Sequence, residues 1–584
     1  MNTKILIGLA VVLGLLLLAF TGPKVQTPAP EPVPVSEVRG ELVGGGRFLL
    51  EQAGTRVLDE DYTILYHPEE GYVLISEGEI IAGGETIPLT QQTSYDGDFH
   101  PTGYRATIEA PSGRQTVTAA LEDGNFVMEV EAGIFQQVQG IGNPACLVLL
   151  DNNLIGHYVM LWMAITDGAV SEEFTAAIPQ ALLSLPGRVA GPEPVEFGSS
   201  GAVHQGISYR VGLGDTQIDL IEFEGRMVGM VNRMQGAIAY DVGRFPAGIE
   251  ILEDEAPATP AGVREEEVSF ESGDITIAGT LAIPAGEEPL PAALFLHGSG
   301  PVDRDGNAAN LPMDAYRQLA HGLAEAGIAS LRFDKRGVGA SGGDAAIASR
   351  TDLVDDASAA LGFLKDRPEI DASRILVVGH SEGAYLGPIL AAADPGLAGL
   401  ALLAGAARPL GVITRWQVET MLRLSGADEE QVAASLEQQD EYIAFVEGST
   451  GEWDDYSVAD LQGELAWLTE AATQQLLSTP LGLTWLREHY LADTAGVLSQ
   501  IAVPVFILNG EKDLQVPAAE GEAIRQILAD AGNDDVTIHA LTDLNHLLRN
   551  HPEPPSLLFR HIEEPVDPRV IDLLRQWAVE RVGG

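Results

Sequence analysis

The stretch of this chain best equipped for chemistry is Gly379-His380-Ser381-Glu382-Gly383. It closely follows an apolar run, Ile375-Leu376-Val377-Val378, and precedes a helix-prone one, Ala384 to Ala393. A serine in a sharp turn between strand and helix has its hydroxyl presented outward, and its neighbours must be glycine or very small. Ser381 is therefore read as a nucleophile. The pattern recurs in Gly339-Ala340-Ser341-Gly342-Gly343, but there it follows the polar turn Asp334-Lys335-Arg336-Gly337, with no strand immediately before it. Ser341 is read as loop structure.

A serine hydroxyl needs a general base, and the base needs an orienting acid. Asp513 lies in Asn509-Gly510-Glu511-Lys512-Asp513-Leu514, just past the apolar run Val505–Leu508. Glu511 competes with it, but a place four residues beyond Asn509 suits Asp513 better. His546 lies in Asp543-Leu544-Asn545-His546, after the strand-like Val536–Leu541; its rivals are His539, His551 and His561. Serine, acid and histidine in this chain order, each after a strand, is the order of an α/β-hydrolase sheet. Two backbone N–H groups must also face the developing oxyanion. One belongs to Glu382, and by position the other belongs to Ser299, in His297-Gly298-Ser299-Gly300-Pro301. The Glu382 side chain is read as a solvated carboxylate at a helix start, favourable near the positive end of the dipole and without a catalytic role.

The elements that must position these residues alternate between strand and helix. Ala292–Leu296, Ile375–Val378, Leu400–Ala404 and Val505–Leu508 are continuous apolar runs, Ile328–Phe333 is a mainly apolar one that stops at Asp334, and segments such as Leu353 to Leu364 carry helical periodicity. Strands apolar throughout are buried on both faces, which describes a parallel sheet covered by helices. Residues 408–496 interrupt that rhythm with several amphipathic helices, a candidate lid carrying Trp416, Trp467 and Trp485. Residues 40–253 read instead as a separate, mainly antiparallel β domain: short β-prone runs such as Gly71–Ile75, Thr116–Leu121 and Ile207–Val211 are separated by turn signals. Its most apolar stretch, Leu154–Ile165, is too short to span a membrane and reads as a buried strand or a core helix.

Residues from about 265 to 584 resemble the α/β-hydrolase superfamily. His297-Gly298-Ser299-Gly300-Pro301-Val302-Asp303-Arg304-Asp305-Gly306 with Gly379-His380-Ser381-Glu382-Gly383 is similar to a bacterial, often exported, serine esterase group. Phe333 to Ser341 and Asn545-His546 match the same group. The resemblance implies hydrolysis of short- to medium-chain carboxylic esters through Ser381, His546 and Asp513. Serine aminopeptidases share the triad, and Glu452, Asp454 and Asp455 are the carboxylates that could take a substrate amine. Asp303, Arg304 and Asp305 are expected to hold their loop by charge-assisted hydrogen bonds. The β domain is similar, through Gly71-Tyr72 and Gly103-Tyr104, to lipid-carrying half-barrels of exported proteins. A spacer or partner-binding module is the other reading, and a lipid- or partner-binding protein with a vestigial hydrolase domain is the alternative for the whole chain.

Composition bounds the rest. Of 584 residues, 45% are hydrophobic, enough for large cores, and the formal net charge is −52. That field repels nucleic acid and anionic headgroups. The chain has only five lysines, at 4, 24, 335, 365 and 512. An acidic, lysine-poor surface fits work in salt, and a GC-rich genome would produce the same bias toward arginine. The one cysteine, Cys146, cannot form an intrachain disulfide or a cysteine-rich metal site, and no cofactor or metal is expected. Lys4 followed by apolar Ile5–Phe20 reads as a signal or membrane anchor within 1–22, so the mature protein is placed outside the cytoplasm, secreted or tethered through 5–22. A proline-rich spacer (23–39) precedes the β domain, and a second linker (254–264) follows it. The expected partner is a small-molecule ester; acyl length and oligomeric state are left open.

Overall fold

The computed structural model describes residues 39–583 apart from short internal segments, the longest being 253–258 and 552–563. The apolar start, most of the proline-rich spacer and His561 lie outside the described residues. Among the described residues no helix is long and apolar enough to cross a membrane. The described chain forms two compact units, one before and one after the segment 253–258.

In the first unit a single sheet of 16 strands carries the fold. The strands from Glu41–Gln52 to Phe135–Gly142 each pair antiparallel with the next. A second meander runs from Glu173–Ile178 to Ala237–Asp241, and its last strand returns to the first, with Asp241 opposite Phe48. The apolar stretch read as strand or helix is a helix, Ile155–Asp167, stopped by Gly168 at φ 85°. Its side chains pack with Phe48, Ile64, Leu74, Leu220 and Met230, so strands of both meanders meet on it. Fully buried Glu60 accepts hydrogen bonds from Ile155 N (2.5 Å) and Gly156 N (3.2 Å), two N–H groups the helix start leaves unpaired.

In the second unit eight strands lie in the order Val263–Ser272, Ile275–Pro284, Ala329–Phe333, Leu290–Leu296, Ile370–His380, Gly399–Leu403, Val505–Gly510, Val536–Leu541. Ile275–Pro284 runs antiparallel to both neighbours and the remaining pairs are parallel. Alternation along the central strands sorts their side chains into two cores. Leu294, Leu296, Val377, Leu400, Leu402 and Ile507 face the helices Arg350–Lys365, Gly383–Ala393 and Ala519–Asp530. Phe295, Leu376, Val378, Leu403, Phe506 and Leu508 face Ala315–Ala324 and Pro568–Val582. Both faces are covered, which is why Ala292–Leu296, Ile375–Val378, Gly399–Leu403 and Val505–Leu508 contain no polar position, while Ala329–Phe333 admits Ser330 and an Arg332 paired with Glu265 and Asp305.

Between Gly399–Leu403 and Val505–Gly510 the chain forms the helices Leu410–Leu424, Glu429–Gly448, Val458–Glu464, Glu470–Leu477, Leu483–Tyr490 and Thr494–Leu498. The amphipathic pattern read there is thus realised as helices. Tyr442, Trp453, Leu461, Leu476, Trp485 and Leu486 of this insertion join the same core as Leu386 and Leu353.

Candidate active site

Ser381 stands between the strand Ile370–His380 and the helix Gly383–Ala393 with φ 54°, a conformation rare for any residue bearing a Cβ. Its neighbours are glycine for steric reasons. A Cβ on Gly379 would lie 2.2 Å from Gly383 O, and one on Gly383 would lie 2.2 Å from Leu296 O. The turn therefore closes only with glycine at both places. Ser381 Oγ lies 3.0 Å from His546 Nε2, and His546 Nδ1 lies 2.8 Å from Asp513 Oδ2. The other oxygen, Asp513 Oδ1, accepts from Gln515 N and Val516 N at 2.7 and 2.8 Å, so the carboxylate is held at both ends. The parallel sheet brings the three together: each follows a strand, and those strands all end on the same side.

The rivals are placed elsewhere. Ser341 Oγ donates to Asp334 O at 2.8 Å and accepts from Ala278 N at 2.9 Å, which ties a loop to its neighbouring strand. His539 lies within Val536–Leu541, and burial lowers its pKa. His551 N donates to Asp543 O from the far side of the loop that carries His546.

Among the described residues neither Ser299 N nor Glu382 N has an acceptor, and Glu382 directly follows Ser381. Gly298, which precedes Ser299, sits so close that a Cβ there would be 3.5 Å from Ser381 Cβ. The loop is held from several sides. Gly298 N donates to Tyr316 Oη (2.9 Å), and Tyr316 Oη lies 3.1 Å from His380 Nδ1. His380 Nε2 lies 2.9 Å from the carbonyl oxygen of His546, so Nε2 must be the donor and Nδ1 the acceptor of the tyrosine proton. Burial lowers the pKa of His380 to about 3, consistent with this neutral ring. The charged triplet that follows the loop behaves as its sequence suggests. Arg304 forks onto Asp334 (2.8 and 3.1 Å) and reaches Thr280, Asp305 pairs with Arg317 and Arg332, and Asp303 accepts from Asp305 N and Asn307 N.

The Glu382 side chain is a correction to the sequence reading. It is not solvated but almost fully buried, because the inserted helices cover the start of helix Gly383–Ala393. Its Oε2 accepts from Lys335 Nζ at 2.6 Å, and its Oε1 accepts from Trp485 Nε1 at 2.6 Å and lies 3.2 Å from His489 Nε2. Burial works to raise its pKa, but the Lys335 ammonium and His489 outweigh it and bring the value down to about 2. Trp485 was read from the sequence as a lid residue, whereas Lys335, Tyr316 and His489 were not singled out as neighbours of Ser381. One signal was available: Lys335 is one of five lysines in a chain with 33 basic residues, and it falls in a turn between apolar runs.

Two of the carboxylates that could take a substrate amine are already engaged. Glu452 caps the helix Leu483–Tyr490 through Leu483 N (2.8 Å) and Thr484 N (3.2 Å), and Asp455 accepts from Glu452 N (2.9 Å). No group of three or more His, Cys, Asp or Glu suited to a metal ion occurs among the described residues.

Comparison with known proteins matches residues 311–553 to the family described as serine aminopeptidase, S33. That span holds Ser381, Asp513 and His546. Esterase EstD of Thermotoga maritima is 29% identical over 317 residues, covering 53% of this chain and 68% of its own. Of solved structures, Est1E from Butyrivibrio proteoclasticus covers 55% of this chain and 99% of its own at 14% identity, with a TM-score of 0.34. The Pyrococcus furiosus esterase Pf2001 covers 57% and 97% at 16% identity, with a TM-score of 0.36. Strand order and the strand–serine–helix elbow are those of the α/β-hydrolase fold, and the two sequence matches agree: the second half of this chain has that fold and is similar in sequence to members of the superfamily.

Proposed function

We propose that this domain is a serine hydrolase, a carboxylesterase for short- to medium-chain esters. The observation that carries the reading is the hydrogen-bonded line Ser381–His546–Asp513, ending on a serine at positive φ. Ser381 Oγ attacks the ester carbonyl while His546 Nε2 takes its proton, and Asp513 holds the imidazole through Nδ1–H. The oxyanion takes hydrogen bonds from Ser299 N and Glu382 N, each donor contributing roughly 10²- to 10³-fold in rate. The alcohol leaves with the proton from His546, and water, activated by the same ring, releases the acid. The helical insertion is assigned the role of a lid over Ser381 that sets acyl-chain preference. Its support is the contact of Trp485 with Glu382 and of Gln417 with Gln515 O (2.7 Å), beside the nucleophile and the acid. Export, with a tether through 5–22, rests on the apolar start.

A serine aminopeptidase is the second reading, favoured by the family description matched over 311–553. Glu452 and Asp455 already accept backbone N–H groups, which leaves exposed Asp454 as the other carboxylate named for a substrate ammonium. A panel of p-nitrophenyl esters from acetate to octanoate, beside aminoacyl-anilides, separates the two. Ester turnover without anilide turnover is expected. Ser381→Ala should lower turnover by roughly 10⁴-fold or more and abolish fluorophosphonate labelling, while Ser341→Ala keeps both. Anilides cleaved as fast as esters would move the assignment to a peptidase.

A further inference from the structure

Three acceptors converge on Lys335. Its ammonium donates to Gly298 O (2.8 Å), Gly300 O (3.0 Å) and Glu382 Oε2 (2.6 Å), which uses all three of its N–H bonds. The side chain is buried, and it reaches there because the strands Ala329–Phe333 and Leu290–Leu296 are parallel neighbours whose C-terminal loops lie side by side. The peptide unit whose oxygen is Gly298 O is the one whose nitrogen is Ser299 N. A trans peptide points its C=O and N–H in opposite directions, so a hydrogen bond to the oxygen sets the aim of the N–H. A cation on the carbonyl also polarises the amide and makes its N–H a stronger donor. The third bond holds the side chain of Glu382; the N–H of that residue, the other candidate donor, is aimed through its own peptide oxygen, Ser381 O, which accepts from Ala384 N (2.9 Å).

We infer that Lys335 is a positioning residue of the oxyanion hole, an ammonium that aims and polarises one of its two donors, Ser299 N–H. This rests on the serine-hydrolase reading above. Arginine cannot replace it, because a planar fork does not satisfy three acceptors converging on one point. Lys335 touches no substrate, and its effect is exerted only through the Gly298–Ser299 amide.

The test uses full-length protein with Lys335→Met, and Lys335→Met/Glu382→Gln so that no buried carboxylate is left unpaired. Thermal melting establishes which variants are folded, and the charge-neutral double variant carries the comparison if the single one is not. In folded variants kcat for p-nitrophenyl butyrate and the rate of fluorophosphonate labelling should both fall roughly ten- to a hundredfold, with KM within about twofold of the parent. A trifluoromethyl ketone, which becomes an oxyanion on Ser381, should weaken by the same factor as kcat/KM. A folded variant with labelling and kcat within threefold of the parent, or with KM raised and kcat kept, overturns the assignment. A parent protein inert toward esters but labelled at Ser381 would remove only the ester reading, and the labelling ratio would still decide the role of Lys335.

Discussion

At Ser381 the backbone holds a φ of 54°, a conformation that costs on the order of 1–3 kcal/mol and persists because the surrounding packing enforces it. Strain at one residue is tolerable when its neighbours are as constrained as Gly379 and Gly383. Buried histidines are a second feature at this scale. His157 Nε2 lies 2.9 Å from Thr93 Oγ1, which donates to Gln91 Oε1 (2.8 Å), whose amide donates to Ser76 Oγ (2.9 Å). Burial lowers the pKa of His157 to about 3, against an ordinary value of 6.5. Its neutral form is favoured by the fold, so its contribution is fully present above pH 6.5 and is lost as pH falls toward 3. The stability gap between the parent protein and His157→Leu should therefore narrow by about 2 kcal/mol between pH 7 and pH 5. Denaturant unfolding of both proteins at each pH measures it, and taking the difference cancels the global effect of relieving negative charge. A gap that does not change with pH would mean that His157 titrates in the fold as it does in the unfolded chain, and one that widens as pH falls would mean that it carries a proton in the fold.

At the scale of elements, the inserted helices meet the catalytic loops at identifiable points. Ile413 of Leu410–Leu424 packs with Tyr385 and Val516, and Trp485 of Leu483–Tyr490 hydrogen-bonds the residue after the nucleophile. Trp416 and Trp467 are partly buried on the same insertion. Replacing Trp416, Trp467 and Trp485 singly by Ala should change the ratio of butyrate to octanoate ester turnover for at least one of them, with Trp485 the first expected. Trp485→Phe, which removes only the N–H, separates loss of the Glu382 contact from loss of apolar surface. Three folded Ala variants with an unchanged chain-length profile would end the lid assignment and leave the triad untouched.

For the whole molecule, Ser381, His546, Asp513, Ser299, Glu382 and Lys335 all lie in one compact unit, the one that follows the segment 253–258. A fragment of residues 262–584 should therefore hydrolyse small soluble esters at a rate close to that of the full chain. A soluble, folded but inactive fragment would show that the antiparallel unit completes the site. The net charge of −52 adds self-repulsion that salt screens, so the two proteins are best compared at matched ionic strength.

The alternation of apolar strands with helices, the place of Ser381 in a strand–helix turn, and the order of acid and histidine were all legible in the sequence. They are local properties: periodicity, glycine spacing, and position just past a strand. The antiparallel character of residues 40–253 was legible for the same reason, whereas its stretch 154–165 was not, because a short run that is apolar on every side suits a buried strand and a buried helix equally. Partners far apart in the chain were decided only by the tertiary structure. Nothing around Glu382 shows that a lysine 47 residues before it and a tryptophan 103 residues after it meet on its carboxylate. A carboxylate at a helix start is solvated unless something covers it, and what covers this one is an insertion that leaves the sheet after Gly399–Leu403 and folds back over the nucleophile's helix.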